Sequence, residues 1–200
     1  MVTHIRRSLI SIVIFTVLFG FVYAFAGTGL SQLLFRDQAD GSITAHGSTL
    51  IGQNWSDTKC PGHLLGSCVF QGRPDDTGPY AGDGDNPLVA NGKSGESASS
   101  NLGPRSKTLL QNTEALVSYW HKRGVDPTPD LVTTSGSGLD PDITPADATV
   151  QVPMVSAATG IAPAALEHLI AAQTHGAPLG FLGSPYVNVL QLNEALARLR

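Results

Sequence analysis

The chain has 200 residues, twelve of them Lys or Arg and sixteen Asp or Glu, for a formal net charge of −4. Without Arg6 and Arg7, ten basic residues face sixteen acidic ones, a net charge of −6 with neutral histidines. No basic stripe is present to displace counterions from phosphates, which excludes nucleic acid as a partner, and the length suits one modest core rather than several domains.

The first element is apolar. Leu9 to Ala26 reads LISIVIFTVLFGFVYAFA, and no charge occurs from Ser8 to Phe35. A hydrocarbon core of ~30 Å needs about 20 helical residues, so residues 9–35 form a membrane span with its exit. Arg6 and Arg7 immediately precede it, and such charges stay on the cytoplasmic side. Residues 1–8 are therefore expected in the cytoplasm, and residues 36–200 as one domain outside it, on a single-pass plasma-membrane protein. A cleaved signal peptide is the rival reading, since Ala24-Phe25-Ala26 has the small-x-small form of a cleavage site. Apolar residues continue past that cut at Leu30, Leu33, Leu34 and Phe35, which favours an anchor. Gly20 and Ala24 form a small-xxx-small pair suited to close packing against another membrane helix.

Beyond the span, Ala39 to Phe70 reads as short β-branched pieces broken by Gly41-Ser42 and Gly47-Ser48, giving weak strands. Cys60 and Cys68 are the only cysteines. Outside the cytoplasm they would close a small disulfide loop; free thiols, or a metal site with His63, are the alternatives that sequence leaves open. Arg73 to Ser100 is rich in Gly, Asp, Pro, Ser and Asn and reads as a long polar surface loop. Its DDTGPYAGDGDN lacks the closing glutamate of an EF-hand, so no calcium site is assigned.

Helices follow. Ser106 caps a helix over KTLLQNTEALVSYWHKRG, with Leu109, Leu110, Leu116, Val117 and Trp120 expected on one face and Gly124 after the last turn. Thr144-Pro145 opens a second helix through Ala158 that Pro153 should kink or end. A third spans Pro163 to Thr174 with Leu166, Leu169 and Ile170 inward. The last, Val189 to Leu199, is capped by Asn188 and buries Leu190, Leu192, Leu196 and Leu199. Helices beside a few strands make an α+β domain.

Chemistry is sparse. Ser135, Gly136, Ser137 and Gly138 could present successive N–H groups to an anion, but the lysine of a Walker loop is missing, and a tight turn is the simpler reading. No GxSxG elbow or HExxH occurs, and His4, His46, His63, His121, His168 and His175 are scattered. Asp75-Asp76, Asp140 and Asp142 sit among turn residues. No catalytic residue and no metal site is assigned.

Six blocks carry a resemblance: Gly47 to Asp57 (GSTLIGQNWSD), Gly72 to Pro74 (GRP), Ser100 to Pro104 (SNLGP), Asp130 to Ala148 (DLVTTSGSGLDPDITPADA), Gln151 to Val155 (QVPMV) and Leu182 to Leu196 (LGSPYVNVLQLNEAL). In this order, behind one span, they resemble the C subunit of the Kdp potassium-transporting P-type ATPase. The resemblance implies a non-catalytic subunit of a complex in which an A subunit conducts potassium, a B subunit hydrolyses ATP and a small F subunit stabilises the assembly. It implies a role in assembly and as a catalytic chaperone raising the ATP affinity of the B subunit, with no cofactor of its own and ATP reached through the complex. It also likens Ser135 to Leu139 to a nucleotide-contacting signature. The orientation from Arg6 and Arg7 pulls against that contact, because ATP is cytoplasmic. Lys59 to Cys68 and the long loop from Asp75 to Ser97 depart from the family pattern. The alternative from another class is an anchored or secreted extracytoplasmic binding domain unrelated to transport.

Overall fold

A computed structural model describes residues 2–74, Ser97 and 100–200. The chain divides into two compact units, 1–44 and 45–200.

The first unit is one helical run, Val2–Leu34, of 33 residues. It comprises α1 (Val2–Phe15), a π-helical stretch (Thr16–Val22) and α2 (Tyr23–Leu34), and none of its residues is buried. At 1.5 Å per residue the run is about 50 Å long, enough to cross a bilayer core and extend beyond it. It starts earlier than the apolar stretch, because Thr3, His4, Arg6 and Arg7 are compatible with helix even though they do not belong in lipid. A short α3 (Arg36–Ala39) follows, with Arg36 facing Asp40 at 3.7 Å, and β1 (Ile43–Thr44) ends the unit.

The second unit holds the remaining described elements: β2 (Gly47–Ser48), α4 (Lys107–His121), β3 (Asp142–Ile143), α5 (Pro145–Val150), α6 (Val152–Thr159), α7 (Pro163–Gln173), β4 (Thr174–His175), β5 (Tyr186–Asn188) and α8 (Val189–Ala197). With its helices and small sheet it is α+β, as the pattern implied. The strands of its sheet, however, lie between helices. β5 is central, pairing antiparallel with β3 (Ile143 opposite Val187) and with β4 (His175 opposite Tyr186). Of the weak strands expected between Ala39 and Phe70, two pieces of two residues form, β1 and β2, and residues 49–70 are turns and irregular chain. Interrupted by Gly52, Pro61, Gly62 and Gly66, that segment cannot sustain a ladder. The long polar loop expected at 73–100 lies largely outside the described residues.

Helix starts follow the sequence closely. The Ser106 hydroxyl accepts from the Leu109 N–H at 3.4 Å, and the Asn188 carboxamide from the Gln191 N–H at 3.2 Å. Thr144 and Asp147 form a reciprocal capping box, at 3.2 and 2.7 Å. One interior detail follows the expected interruption at Pro153, and two differ. The second helix is broken at Gln151 into α5 and α6, with Pro153 in the first turn of α6, because the proline ring excludes the carbonyl of Thr149 from its hydrogen bond. In α4 the buried face is Leu116, Tyr119 and Trp120, while Leu110 is exposed. Six residues of α-helix put Leu110 about 120° away from Leu116. Finally, α8 ends at Ala197, leaving Leu199 outside its inward stripe and 51% exposed.

The core joins Phe70, Leu116, Trp120, Leu131, Val155, Leu166, Val187 and Leu192 across these elements. The Trp120 indole N–H donates to the Leu131 carbonyl at 2.9 Å, tying α4 to the 3-10 turn Pro129–Val132. Cys60 and Cys68 form a disulfide with Cα atoms 5.6 Å apart, both residues buried, which resolves the alternatives left open by sequence.

Candidate functional site

A cleft is lined by three segments far apart in sequence: Gly52–Ser56, Gln71–Arg73 and Gly138–Pro141. Apart from Gln71, which directly precedes the block Gly72 to Pro74, these residues belong to the sequence blocks singled out above, so the fold brings three of the six together.

Gly52 fixes the contact of the first segment with the third. Its N–H donates to the Leu139 carbonyl at 2.7 Å, and a Cβ at this position would stand 2.7 Å from the Asp140 carbonyl oxygen. Only glycine lets two backbones approach this closely. Arg73 fixes the second to the third. Its Nη2 donates to the carbonyls of Thr134 at 3.1 Å and Thr133 at 3.3 Å, while Asp140 lies at 3.8 Å and Asp130 at 4.0 Å from the guanidinium. The planar fork reads two successive carbonyls and two carboxylates together, which an ammonium would not do. The Arg73 Nε is buried without a partner among the described residues.

Beneath the cleft, the Phe70–Gln71 backbone is buried yet belongs to no sheet. Side-chain amides take the place of neighbouring strands. Asn193 accepts from the Phe70 N–H and donates to the Phe70 carbonyl, both at 2.8 Å. Gln151 accepts from the Gln71 N–H at 2.8 Å and donates to the Gln71 carbonyl at 3.0 Å. The Gln71 side chain in turn accepts from the Tyr119 hydroxyl at 2.8 Å and donates to the Gly66 carbonyl at 3.0 Å. Every member is satisfied, which is the condition for a buried polar network to stabilise a unique fold. Sequence reasoning missed these three residues. Their signal was a polar residue inside an apolar pattern, Gln151 ahead of VPMV and Asn193 between Leu192 and Leu196.

The loop Ser135 to Gly138 meets the cleft at Gly138. Ser135 is buried, and its hydroxyl accepts from the Gly138 N–H at 3.0 Å; the Ser137 hydroxyl accepts from the Leu139 N–H at 3.1 Å. The two hydroxyls thus engage two of the N–H groups that a phosphate loop would present. Gly136 and Ser137 are exposed, and Gly138 holds the left-handed φ of 71° that closes the turn. Asp142, at the edge of the sheet, has its carboxyl pKa raised by burial and, more weakly, by Asp140, against the opposing hydrogen bond from Asn188 at 2.8 Å.

The histidines stay dispersed. His46 pairs with Glu194 at 3.2 Å, His121 with Asp126 at 3.6 Å, and His175 stacks on Tyr186 with ring centres 5.0 Å apart. Among the described residues no three His, Cys, Asp or Glu converge as a metal site.

Comparison with known proteins gives the family of the sequence. A family model described as "KdpC: K+-transporting ATPase, c chain" matches residues 5–198. The potassium-transporting ATPase KdpC subunit of Caulobacter vibrioides is 40% identical over 204 residues, covering 98% of this chain and 93% of its own length. That of Sorangium cellulosum is 40% identical over 207 residues, covering 98% of each chain. That of Methylobacterium nodulans is 41% identical over 207 residues, covering all of this chain and 98% of its own.

Proposed function

The chain belongs to the family of K+-transporting ATPase c chains, and from that premise we propose that it is an accessory, non-catalytic subunit that assembles with and stabilises the ATP-hydrolysing and potassium-conducting subunits of an ATP-driven potassium importer. The observation that carries this reading is the match running through both units, from the membrane helix to the end of α8. The cleft supports it: its polar groups hold loops together, an arrangement suited to presenting a fixed surface to a partner rather than to performing chemistry.

The soluble domain lies outside the cytoplasm in this reading. Arg6 and Arg7 mark the cytoplasmic end of the helix, and a buried disulfide suits an oxidising compartment. Any effect on ATP affinity then reaches the B subunit through the membrane partners, and the loop Ser135 to Gly138 meets the cleft at Gly138 without touching nucleotide. The domain packs on the outer face of the potassium-conducting subunit.

Purification of the tagged full-length chain in mild detergent tests this. The expected result is recovery of a P-type ATPase subunit and a channel-like subunit, with potassium-stimulated ATP hydrolysis in the eluate. Recovery of the chain alone, beginning at Gly27, would sink the proposal in favour of a secreted binding domain. Orientation is read separately: protease added to intact cells should remove a tag placed after Arg200.

A further inference from the structure

The chain between β4 and β5 keeps its apolar side chains out of the core. Residues 176–185 make this connection, and on it Leu179, Phe181 and Leu182 are 81%, 75% and 49% exposed. Leu179 and Phe181 are the most exposed large apolar side chains among the described residues of the second unit. An apolar cluster of this kind marks a contact surface, whereas a single exposed leucine would not.

The backbone holds the tip outward under strain. Leu179 has a φ of 55°, in the left-handed region that a residue with a Cβ avoids. Gly180 and Gly183 follow at 80° and 78°, and nothing lies within 4 Å of a Cβ built on either, so they serve the turn rather than close packing. The base is fixed. β4 and β5 pair antiparallel with His175 opposite Tyr186, the two rings stack, and the His175 Nε2 meets the Gln191 carboxamide at 3.3 Å. A tip carried on a paired sheet edge needs little ordering when it is covered.

Charge and area together say what covers it. From Gly176 to Asn193 the sequence has no Asp, Glu, Lys or Arg, in a domain of net charge −6. The segment brings no cation to a phosphate and no carboxylate to a basic surface, so its complement is an uncharged apolar pocket. One phenylalanine and two leucines amount to a few hundred Å², while a stable interface takes about 800 Å² from each partner. Two copies joined tip to tip fall short of that. The tip suits a partner that the same chain also holds by another element, and the apolar helix, with no buried residue, is such an element. We propose that Leu179, Phe181 and Leu182 seat in an uncharged apolar pocket on the potassium-conducting subunit and act as the anchor of that contact. The proposal rests on the function proposed above and names the surface through which it is exercised.

The test uses the tagged full-length chain in cells that make the whole complex. With p-benzoylphenylalanine in place of Phe181, irradiation of intact cells should join the chain to the potassium-conducting subunit. Leu179→Asn with Phe181→Ser should lower the amount of that subunit recovered per tagged chain about tenfold, and Phe181→Leu should keep it. The unfolding midpoint of the double variant should stay level or rise, because Asn tolerates the left-handed conformation. A midpoint that fell together with recovery would make the loop a structural element and overturn the proposal. Crosslinks to a second copy or to lipid alone would overturn it as well. Equal recovery by the double variant and the parent would remove the loop from the interface and leave the proposed function standing, whereas a parent that recovers no ATPase subunit would remove both.

Discussion

Asn193 shows how much one side chain can hold. It satisfies both backbone groups of Phe70, a residue with no exposed surface, across 123 positions of sequence. Asn193→Leu would keep the volume and the apolar character of the face but leave a buried N–H and a buried carbonyl without partners. Each such group costs about 1–3 kcal/mol, so a loss of about 2–6 kcal/mol is expected, read as a lower unfolding midpoint of the full-length chain in detergent. An unchanged midpoint would mean that Phe70 has another partner. In the cleft, Gly52 and Arg73 both meet Asp140, one by permitting backbone contact and the other through its guanidinium.

At the scale of elements, the helices begin where polar side chains satisfy their first N–H groups and end where the backbone can turn. The capping box of Thr144 and Asp147 does more than start α5, because Asp147 is buried and also accepts from the Thr128 hydroxyl. It therefore links the helix start to the turn after α4. Thr144→Ala should cost ~1 kcal/mol, within the usual range of ~0.5–2, and Thr144→Ser should restore most of it. Denaturant midpoints of the three proteins would decide, and identical values for Thr144→Ala and the parent would show that the cap is idle. The split between α5 and α6 has a second use. It leaves the Gln151 side chain, fully buried, placed to reach the Gln71 backbone.

For the whole molecule, the long apolar helix is an element with no buried residue, and a helix of this composition packs on lipid or on another membrane helix. Gly20 has nothing within 4 Å of a built Cβ, so leucine fits there without internal conflict. Gly20→Leu with Ala24→Leu should therefore leave the second unit folded while weakening recovery with the larger membrane subunits, because the bulk keeps a neighbouring helix away. Unchanged co-purification would remove this helix face from the interface.

Sequence by itself determined the N-terminal apolar helix, the α+β class, the family and the starts of α4, α5, α7 and α8, because each follows from short-range rules: unbroken apolar length, a capping hydroxyl or amide, a proline at the first turn. Leu116 and Trp120 were legible as core for the same reason, through helical spacing. The tertiary structure alone decided the remainder. The sheet could not be read because its strands are two or three residues long and draw their order from the helices between them. Nor could the partnership of Gln71 with Gln151 and Asn193, since a buried amide looks like any surface amide until the backbone it satisfies is known. The cleft joins residues 52, 73 and 140 for the same reason: its geometry is a product of backbone contacts between distant segments, which residue identity marks only by a glycine and an arginine.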